Sequence, residues 1–341
     1  MQTFVYKLRP SPTQAALFAE TLETCRRLYN HALAERKAAF IQHNLTLSFA
    51  QQSASLPLLK QSWQHLKRVH SQVLQDVLHH LQHAFDAFFG RLKAGETPGY
   101  PRFRGRGWYD TFTYRQWGNG VTFERGRLVL SKIGALRVVR DRPLKGRPKT
   151  CSIVRKADGW YAHIVCDLAP ERLRATGKAV GIDVGLESFA TLSDGRQVAN
   201  PGHYRRAERK LKQAQRRLSR RVKGSNRRRK ARELLAKAHL TVARARRDFA
   251  HKTARLLVEQ YDTIVVERLN IRTMLKNHRL AKSIADAGWG QFVEVLRAKA
   301  ESAGRVVVAV DPRETSQECS GCGRNVPKEL SERWHSCPYC G

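Results

Sequence analysis

Four cysteines near the C-terminal end constrain this chain more than any other feature. Cys319-Ser-Gly-Cys322 and Cys337-Pro-Tyr-Cys340 are two CxxC pairs with fourteen residues, 323–336, between them. Each pair puts two thiolates on one tight turn, so four sulfurs can close a tetrahedral shell around Zn²⁺. Gly321, Gly323 and Gly341 suit such knuckles, which need backbone angles that side chains disfavour. A shell of four protein ligands leaves no open position, which predicts a structural ion and not a catalytic one. Free thiols that happen to share the spacing are the plainer alternative.

The 341 residues suffice for about two or three domains. Lys and Arg total 63 against 29 Asp and Glu, a formal net charge of +34 with a pI near 10.7. Such an excess repels itself in a compact monomer unless a polyanion neutralises it, which points to nucleic acid. An anionic membrane is the weaker alternative, since no apolar run approaches the ~20 residues of a spanning helix. The start, MQTFVYKLRPSP, has no apolar stretch after a basic one, so no secretory signal is expected. Seven cysteines, four in zinc spacing, suit a reducing cytoplasm. Cys25, Cys151 and Cys166 stand among apolar neighbours and are expected to be small buried residues.

Phe4 to Leu8 alternates toward a strand that Pro10 ends. Ser11-Pro12-Thr13-Gln14 then forms a capping-box pattern with Pro at the first helical position. Phe18, Leu22, Cys25, Tyr29 and Leu33 recur at helical spacing, predicting a helix to about Phe40. A second long helix is expected after Ser62, with Leu66, Val69, Val73, Val77, Leu81, Phe85, Phe88 and Leu92 on one face. His70, His79, His80 and His83 lie in it. His79 and His83 have i,i+4 spacing without an HExxH pattern, so packed or solvated histidines are expected. Beyond Gly95 comes a basic, aromatic, turn-rich segment that includes Arg102 and Arg104. Short β patterns follow over 111–115, 121–123, 128–130, 136–139, 151–155 and 160–165, with a hairpin turn at Asp158-Gly159. They predict a small barrel or sandwich. Phe103, Trp108, Tyr109, Phe112, Tyr114 and Trp117, interleaved with Arg, suit base stacking or a phosphate track, or simply a core.

Near Lys178 the pattern turns α/β. Ala179 to Ile182 runs into Asp183, and Thr263 to Val266 runs into Glu267, so each acid stands where an apolar strand meets water or a ligand. Either one alone could be a turn former or an arginine partner. Together, carboxylates on neighbouring strands can hold two Mg²⁺ ions that activate water and stabilise a leaving phosphodiester oxygen. Between them, Arg205 to Lys230 holds fourteen Lys/Arg and one acid, Glu208. Leu211, Ala214 and Leu218 keep an apolar stripe there, which predicts ordered helices rather than a solvated tail. The excess of one sign predicts phosphate contacts, which hold a backbone without reading sequence. Arg205, Arg206, Arg209, Lys210, Arg216, Arg217, Arg220, Arg221, Arg227 and Arg228 are the candidate contacts, with Arg102 and Arg104.

GIDVGLESFATLSDG, VVERLNIRTMLKN with LAKSIADAGWGQF, TSQECSGCG and SCPYCG, in this order, resemble the transposon-encoded TnpB (OrfB) family, which is similar to type V CRISPR effectors. The early LYNHAL helix and the GYPRFR segment extend the likeness over nearly the whole chain. The resemblance implies a programmable RNA-guided DNA endonuclease that carries a guide RNA from its own transposon end and acts on double-stranded target DNA. It implies a multi-domain α+β fold: a β-barrel-like wedge domain (1–10 and 95–175), a helical recognition insertion (11–94), an RNase H-like RuvC domain with basic helices (176–314), and a zinc ribbon (315–341). Asp183 and Glu267 match the first two RuvC carboxylates, the ligands of catalytic Mg²⁺. Cys319, Cys322, Cys337 and Cys340 match the ligands of structural Zn²⁺.

In that family a third carboxylate, in an Asp-Arg-Asp-type segment, follows soon after the last ribbon cysteine, and the sequence has no residues there. Asp311 precedes the ribbon and matches a different family position, so it is not counted as a substitute. The chain is therefore expected to cut weakly or not at all, as a shortened or a decayed version of an active protein. The overall expectation is a cytoplasmic, nucleoid-associated, RNA-binding nuclease of RuvC type in a prokaryote. A nuclease-dead RNA-guided DNA binder and a plain basic nucleic-acid-binding protein are the alternatives.

Overall fold

A computed structural model describes residues 1–311, 317–319, 321–327 and 336–341, which fall into two units, Met1–Ala169 and Pro170–Gly341. The expected boundary between nuclease domain and ribbon, at 314/315, lies outside the described residues.

The first unit opens with β1 (Gln2–Arg9) and α1 (Pro12–His43). The capping box forms as its sequence predicts: Ser11 Oγ accepts from the Gln14 amide at 3.2 Å, and the Gln14 side chain accepts from the Ser11 amide at 3.0 Å. Helices α2 (Phe49–Ala54) and α3 (Leu56–Ser62) follow, then a 3-10 turn over Gln64–Arg68 and α4 (Ser71–Lys93). The second long helix thus starts eight residues later than its periodicity suggests. His70 is extended (φ −61°, ψ 139°) and its imidazole accepts from the Gln72 amide, so α4 is capped there. Leu66 and Val69 still reach the core, from the turn before it. His79 packs on Phe49 with ring centroids 3.8 Å apart, in keeping with its reading as a packed residue.

Strands β2 (Thr111–Tyr114), β3 (Val121–Glu124), β4 (Arg127–Leu130), β5 (Gly134–Val139), β6 (Arg147–Lys156) and β7 (Gly159–Asp167) complete the unit. They form one antiparallel sheet in the order β2-β6-β7-β1-β5-β4-β3, so the N-terminal strand sits in its middle. Phe18, Leu22 and Leu28 of α1 and Val73, Leu74 and Leu81 of α4 pack in one core with Phe112, Ile153 and Ile164 of the sheet. Cys25, Cys151 and Cys166 are buried, and burial pushes the thiols of all three up.

The second unit runs β8 (Ala179–Asp183), β9 (Ser188–Leu192), β10 (Gln197–Ala199), α5 (His203–Ser219), α6 (Asn226–Gln260), β11 (Thr263–Glu267), α7 (Ile271–Met274), α8 (Ala281–Ala287), α9 (Trp289–Ala303) and β12 (Val306–Val310). Its sheet order is β10-β9-β8-β11-β12, with β8, β11 and β12 parallel and β9 antiparallel to β8. Val180, Ile182, Ile264 and Val266 share a core with Ala254, Leu257 and Val258 of α6 and Phe292 and Leu296 of α9.

One ionic clamp ties the entry of this unit to its sheet. Asp262, just before β11, accepts from the amides of Thr176 (2.9 Å) and Gly177 (2.7 Å) and from Arg305 Nη1. The buried Arg305 also donates to the carbonyls of Val258 (3.1 Å) and Arg174 (2.8 Å). Removing a buried charged donor strands its acceptors. Arg305→Met is therefore expected to lower the unfolding temperature of the full chain by about 5 °C or more, followed by circular dichroism. A change within one degree would show the clamp to be dispensable.

Candidate functional site

The site is set by strand register. In the parallel pairing of β8 with β11, Ile182 lies opposite Val266, which brings the next residues, Asp183 and Glu267, level at the ends of neighbouring strands. Val180 and Ile182, and Ile264 and Val266, point into the core. Side chains alternate along a strand, so both acids project to the other face. Asp183 is exposed and Glu267 half-buried. Sequence reasoning placed both acids at strand ends, and the structure makes the strands adjacent.

Local turns hold these ends. Directly after Asp183 the Gly185 amide donates to the Phe189 carbonyl at 3.3 Å, and a Cβ on Gly185 would lie 2.9 Å from the Ser188 carbonyl oxygen. That close approach explains the glycine. After Glu267, the Arg268 amide donates to the Val310 carbonyl at 2.8 Å, tying β11 to β12. Val310 is the register partner of Glu267, so Asp311 stands one residue beyond, at the same end of the sheet. Among the described residues, however, only the four cysteines bring three or more metal-ligating atoms within 4.8 Å.

Helices α5 and α6 carry the basic stretch. Arg205, Arg206, Arg209, Lys210, Arg216, Arg217, Arg220 and Arg227 are exposed, as are Arg102 and Arg104 in the first unit. Arg221 and Arg228 are half-buried. Arg228 Nη1 donates to the carbonyls of Leu218 (3.1 Å) and Arg221 (2.7 Å), so its guanidinium closes the end of α5. Arg205 Nη2 donates to Ser283 Oγ at 2.7 Å. Glu208 takes Lys282 (2.6 Å) and Lys212 (2.9 Å), whose ammonium groups hold its carboxyl at about 2.

Two residues that the sequence did not single out fasten this hairpin. Asp286 of α8 is buried and accepts from the amides of Tyr204 (2.8 Å) and Arg205 (3.1 Å) at the start of α5, and from Arg246 of α6 (3.0 Å). Burial works to raise its carboxyl; the Tyr204 amide, the Arg246 guanidinium and the Arg205 amide outweigh it and hold the group below the usual carboxylate range. Asn200 donates to the Leu186 carbonyl at 2.8 Å and accepts from the Gly202 amide at 3.1 Å. It links the turn after Asp183 to the start of α5. In sequence, both look like ordinary helix and loop polar residues, because their partners lie on other elements.

The four cysteines converge from their two turns. Cys319 Sγ is 3.5 Å from Cys340 Sγ, and Cys322 Sγ is 3.6 Å from Cys337 Sγ. Gly323 (φ 68°) and Gly341 (φ 95°) take the left-handed angles expected of knuckle glycines. Hydrogen bonding to the neighbouring sulfurs, that of Cys319 foremost, favours the protonated form and pushes the Cys340 thiol up to about 12. Four thiols so close disfavour each other's thiolates, and a dication is what would relieve them. The donor set fits a soft or borderline ion in a closed shell.

Comparison with known proteins places this geometry. A family model described as "Probable transposase" matches residues 163–278, and one described as "Cas12f1-like, TNB domain" matches 289–341. A third, described as a helix-turn-helix domain, matches residues 1–44, which here form one strand and one long helix. A Streptomyces pristinaespiralis protein named "Putative RNA-guided DNA endonuclease" is 35% identical over 329 residues, covering 94% of this chain and 80% of its own length. InsQ of Escherichia coli (strain K12), named in the same words, is 30% identical, with 99% and 87% covered. The Cas12f1 chain from a cryo-EM structure of its complex with sgRNA and target DNA shares the fold, with a TM-score of 0.53 at 12% identity, covering 92% of this chain and 76% of that one.

The Asp286 anchor gives a pH-dependent expectation. A carboxyl lowered by folding adds stability above its unfolded pKa and loses it as pH falls through the folded value. Asp286→Asn is expected to melt several degrees below the parent at pH 7, the gap closing below about pH 4. A gap that is the same at pH 3 and pH 7 would contradict the ionic role.

Proposed function

The chain belongs to the transposon-encoded TnpB (OrfB) family, and from that premise we propose that it is an RNA-guided DNA endonuclease, carrying an RNA from its own transposon end and hydrolysing double-stranded target DNA. The observation that carries this reading is the level placement of Asp183 and Glu267 at the ends of adjacent parallel strands, with a basic hairpin inserted between them in sequence.

The domain plan follows the same reading. β1 completes the sheet built from residues beyond 95, which supports a wedge-type domain of 1–10 and 95–175 with the helices of 11–94 as an insertion. Residues 176–314 are assigned as a RuvC-type nuclease domain and 315–341 as its zinc ribbon. Asp183 and Glu267 offer hard oxygen ligands that fit Mg²⁺, whereas the four thiols fit Zn²⁺. Magnesium at the carboxylates supplies water activation and stabilises the leaving oxygen of a phosphodiester. The protein's own part is to position: Gly185 and Asn200 hold the turn after Asp183, and the exposed arginines of α5 and α6 hold phosphates near it.

A plasmid-cleavage assay with cognate RNA tests the site. Cutting is expected to need Mg²⁺ and to fall more than about 100-fold in Asp183→Ala and in Glu267→Ala, beyond the loss expected for outer-shell partners. Guided binding should persist in both, since binding and hydrolysis use different parts of such a protein. Cutting that survives Asp183→Ala would refute the assignment. Guided binding with no cutting by the parent would favour the nuclease-dead reading.

Two further outcomes are expected. Elemental analysis should find about one zinc per chain, dropping sharply in Cys322→Ser. Replacing Arg216, Arg217 and Arg220 together with Ala should flatten the dependence of log binding constant on log salt, since each neutralised phosphate contributes to that slope. An unchanged slope would remove the hairpin from the interface.

A further inference from the structure

The loop after α4 presents aromatic rings to solvent on a fixed support. Tyr100 is set edge-on to Phe85 (5.6 Å, 89°) and Phe88 (5.5 Å, 76°), which pins one end of the loop to α4. Asn30 of α1 pins the other: its Oδ1 accepts from the Arg104 amide at 2.7 Å and its Nδ2 donates to the Arg104 carbonyl at 3.0 Å. Arg26 Nη1 donates to the same carbonyl at 3.0 Å. Between these pins Phe103 is 56% exposed, and beyond them Trp108 is 80% exposed. The other described tryptophans, Trp63, Trp117, Trp160 and Trp289, are partly or fully buried.

Trp108 is also held. Its amide donates to the Gly105 carbonyl at 3.1 Å, and its indole lies over Gly105, where a Cβ would come within 3.2 Å of Cδ1. The indole is thus braced by the loop backbone while most of its surface stays open to water. The surrounding segment, residues 91–106, carries Arg91, Lys93, Arg102, Arg104 and Arg106 against one acid, Glu96.

We propose that Trp108 is a stacking platform for unpaired bases of the RNA this protein carries. The proposal rests on the reading above that the chain holds an RNA. Braced aromatic rings in a basic frame match single-stranded nucleic acid, whose bases offer open faces while its phosphates meet the arginines. Duplex DNA offers the phosphates but not the faces, because its bases are already stacked. An RNA folded on itself leaves loop and bulge bases unstacked before any target is met, so the RNA is the partner that fits. A neutral apolar partner surface would not call for five cations in so short a segment.

The test is fluorescence anisotropy of the full chain with a labelled, unstructured 15-nucleotide RNA, together with intrinsic tryptophan emission. The parent is expected to bind with quenching. Trp108→Leu should weaken binding about fivefold or more and remove most of the quench, while Trp108→Phe should stay within about twofold of the parent. Trp108 is exposed, so unchanged circular dichroism is expected of its variants. The proposal is overturned if Trp108→Leu binds and quenches like the parent, if duplex DNA quenches as strongly as the RNA, or if the loss proves to be one of self-association in sedimentation. RNA binding that persists without regard to Trp108 would sink the platform alone; no RNA binding by the parent would sink the RNA-guided reading with it.

Discussion

The parallel pairing of β8 with β11 is the constraint on which the second unit depends. A shift of one residue in that pairing would separate Asp183 from Glu267 along the strands and turn Val180 and Ile182 away from the core that Ile264 and Val266 share. The hydrophobic pattern therefore fixes the chemistry: the side chains that bury the sheet are also what set the acids level. A parallel pair needs a long crossover, and here it is the α5–α6 hairpin. Strands β9 and β10 precede the helices in that crossover, so the most basic helices leave from β10 and return to the strand that bears Glu267.

So many cations on one hairpin repel each other, and few acids are available to hold it. Glu208 draws in Lys212 and Lys282, and Asp286 takes the start of α5 together with Arg246 of α6. Both acids are committed to fastening α5, to α8 and α6, which leaves the outward arginines to an external polyanion. Asn200 reaches from the start of α5 to the Leu186 carbonyl, so the base of the hairpin and the turn after Asp183 are one bonded assembly. The first unit uses a similar device: Asn30 fixes the Arg104 backbone and leaves the neighbouring side chains free of that task.

What was legible in the sequence is what local chemistry dictates. The Ser11 capping box, the strand runs and the knuckle glycines each declare themselves within a few residues. The cysteine pairs were legible for a different reason, since only convergence gives their spacing a purpose. The start of α4 was misplaced because periodicity runs through Leu66 and Val69, and only the folded chain shows that these two reach the core from a 3-10 turn, with His70 extended before the helix begins. Asp286, Asn200 and the Arg228 contacts were invisible for the same reason: each acts on backbone groups of a distant element. Asp183 and Glu267 were found as strand ends, but adjacency is a property of sheet order, which no local pattern encodes.

The groups that this chain offers to nucleic acid share one property. Arginines along α5 and α6 meet phosphates, which are the same at every step, and a stacking ring accepts any base. Neither mode discriminates one sequence from another. A protein that must act at chosen sites with such contacts needs its selectivity from elsewhere. Under the proposed function, base pairing by a bound RNA supplies it, with the protein holding backbone geometry and placing carboxylates. The large net charge fits that division of labour, because a backbone held without reading its sequence is held largely through its phosphates.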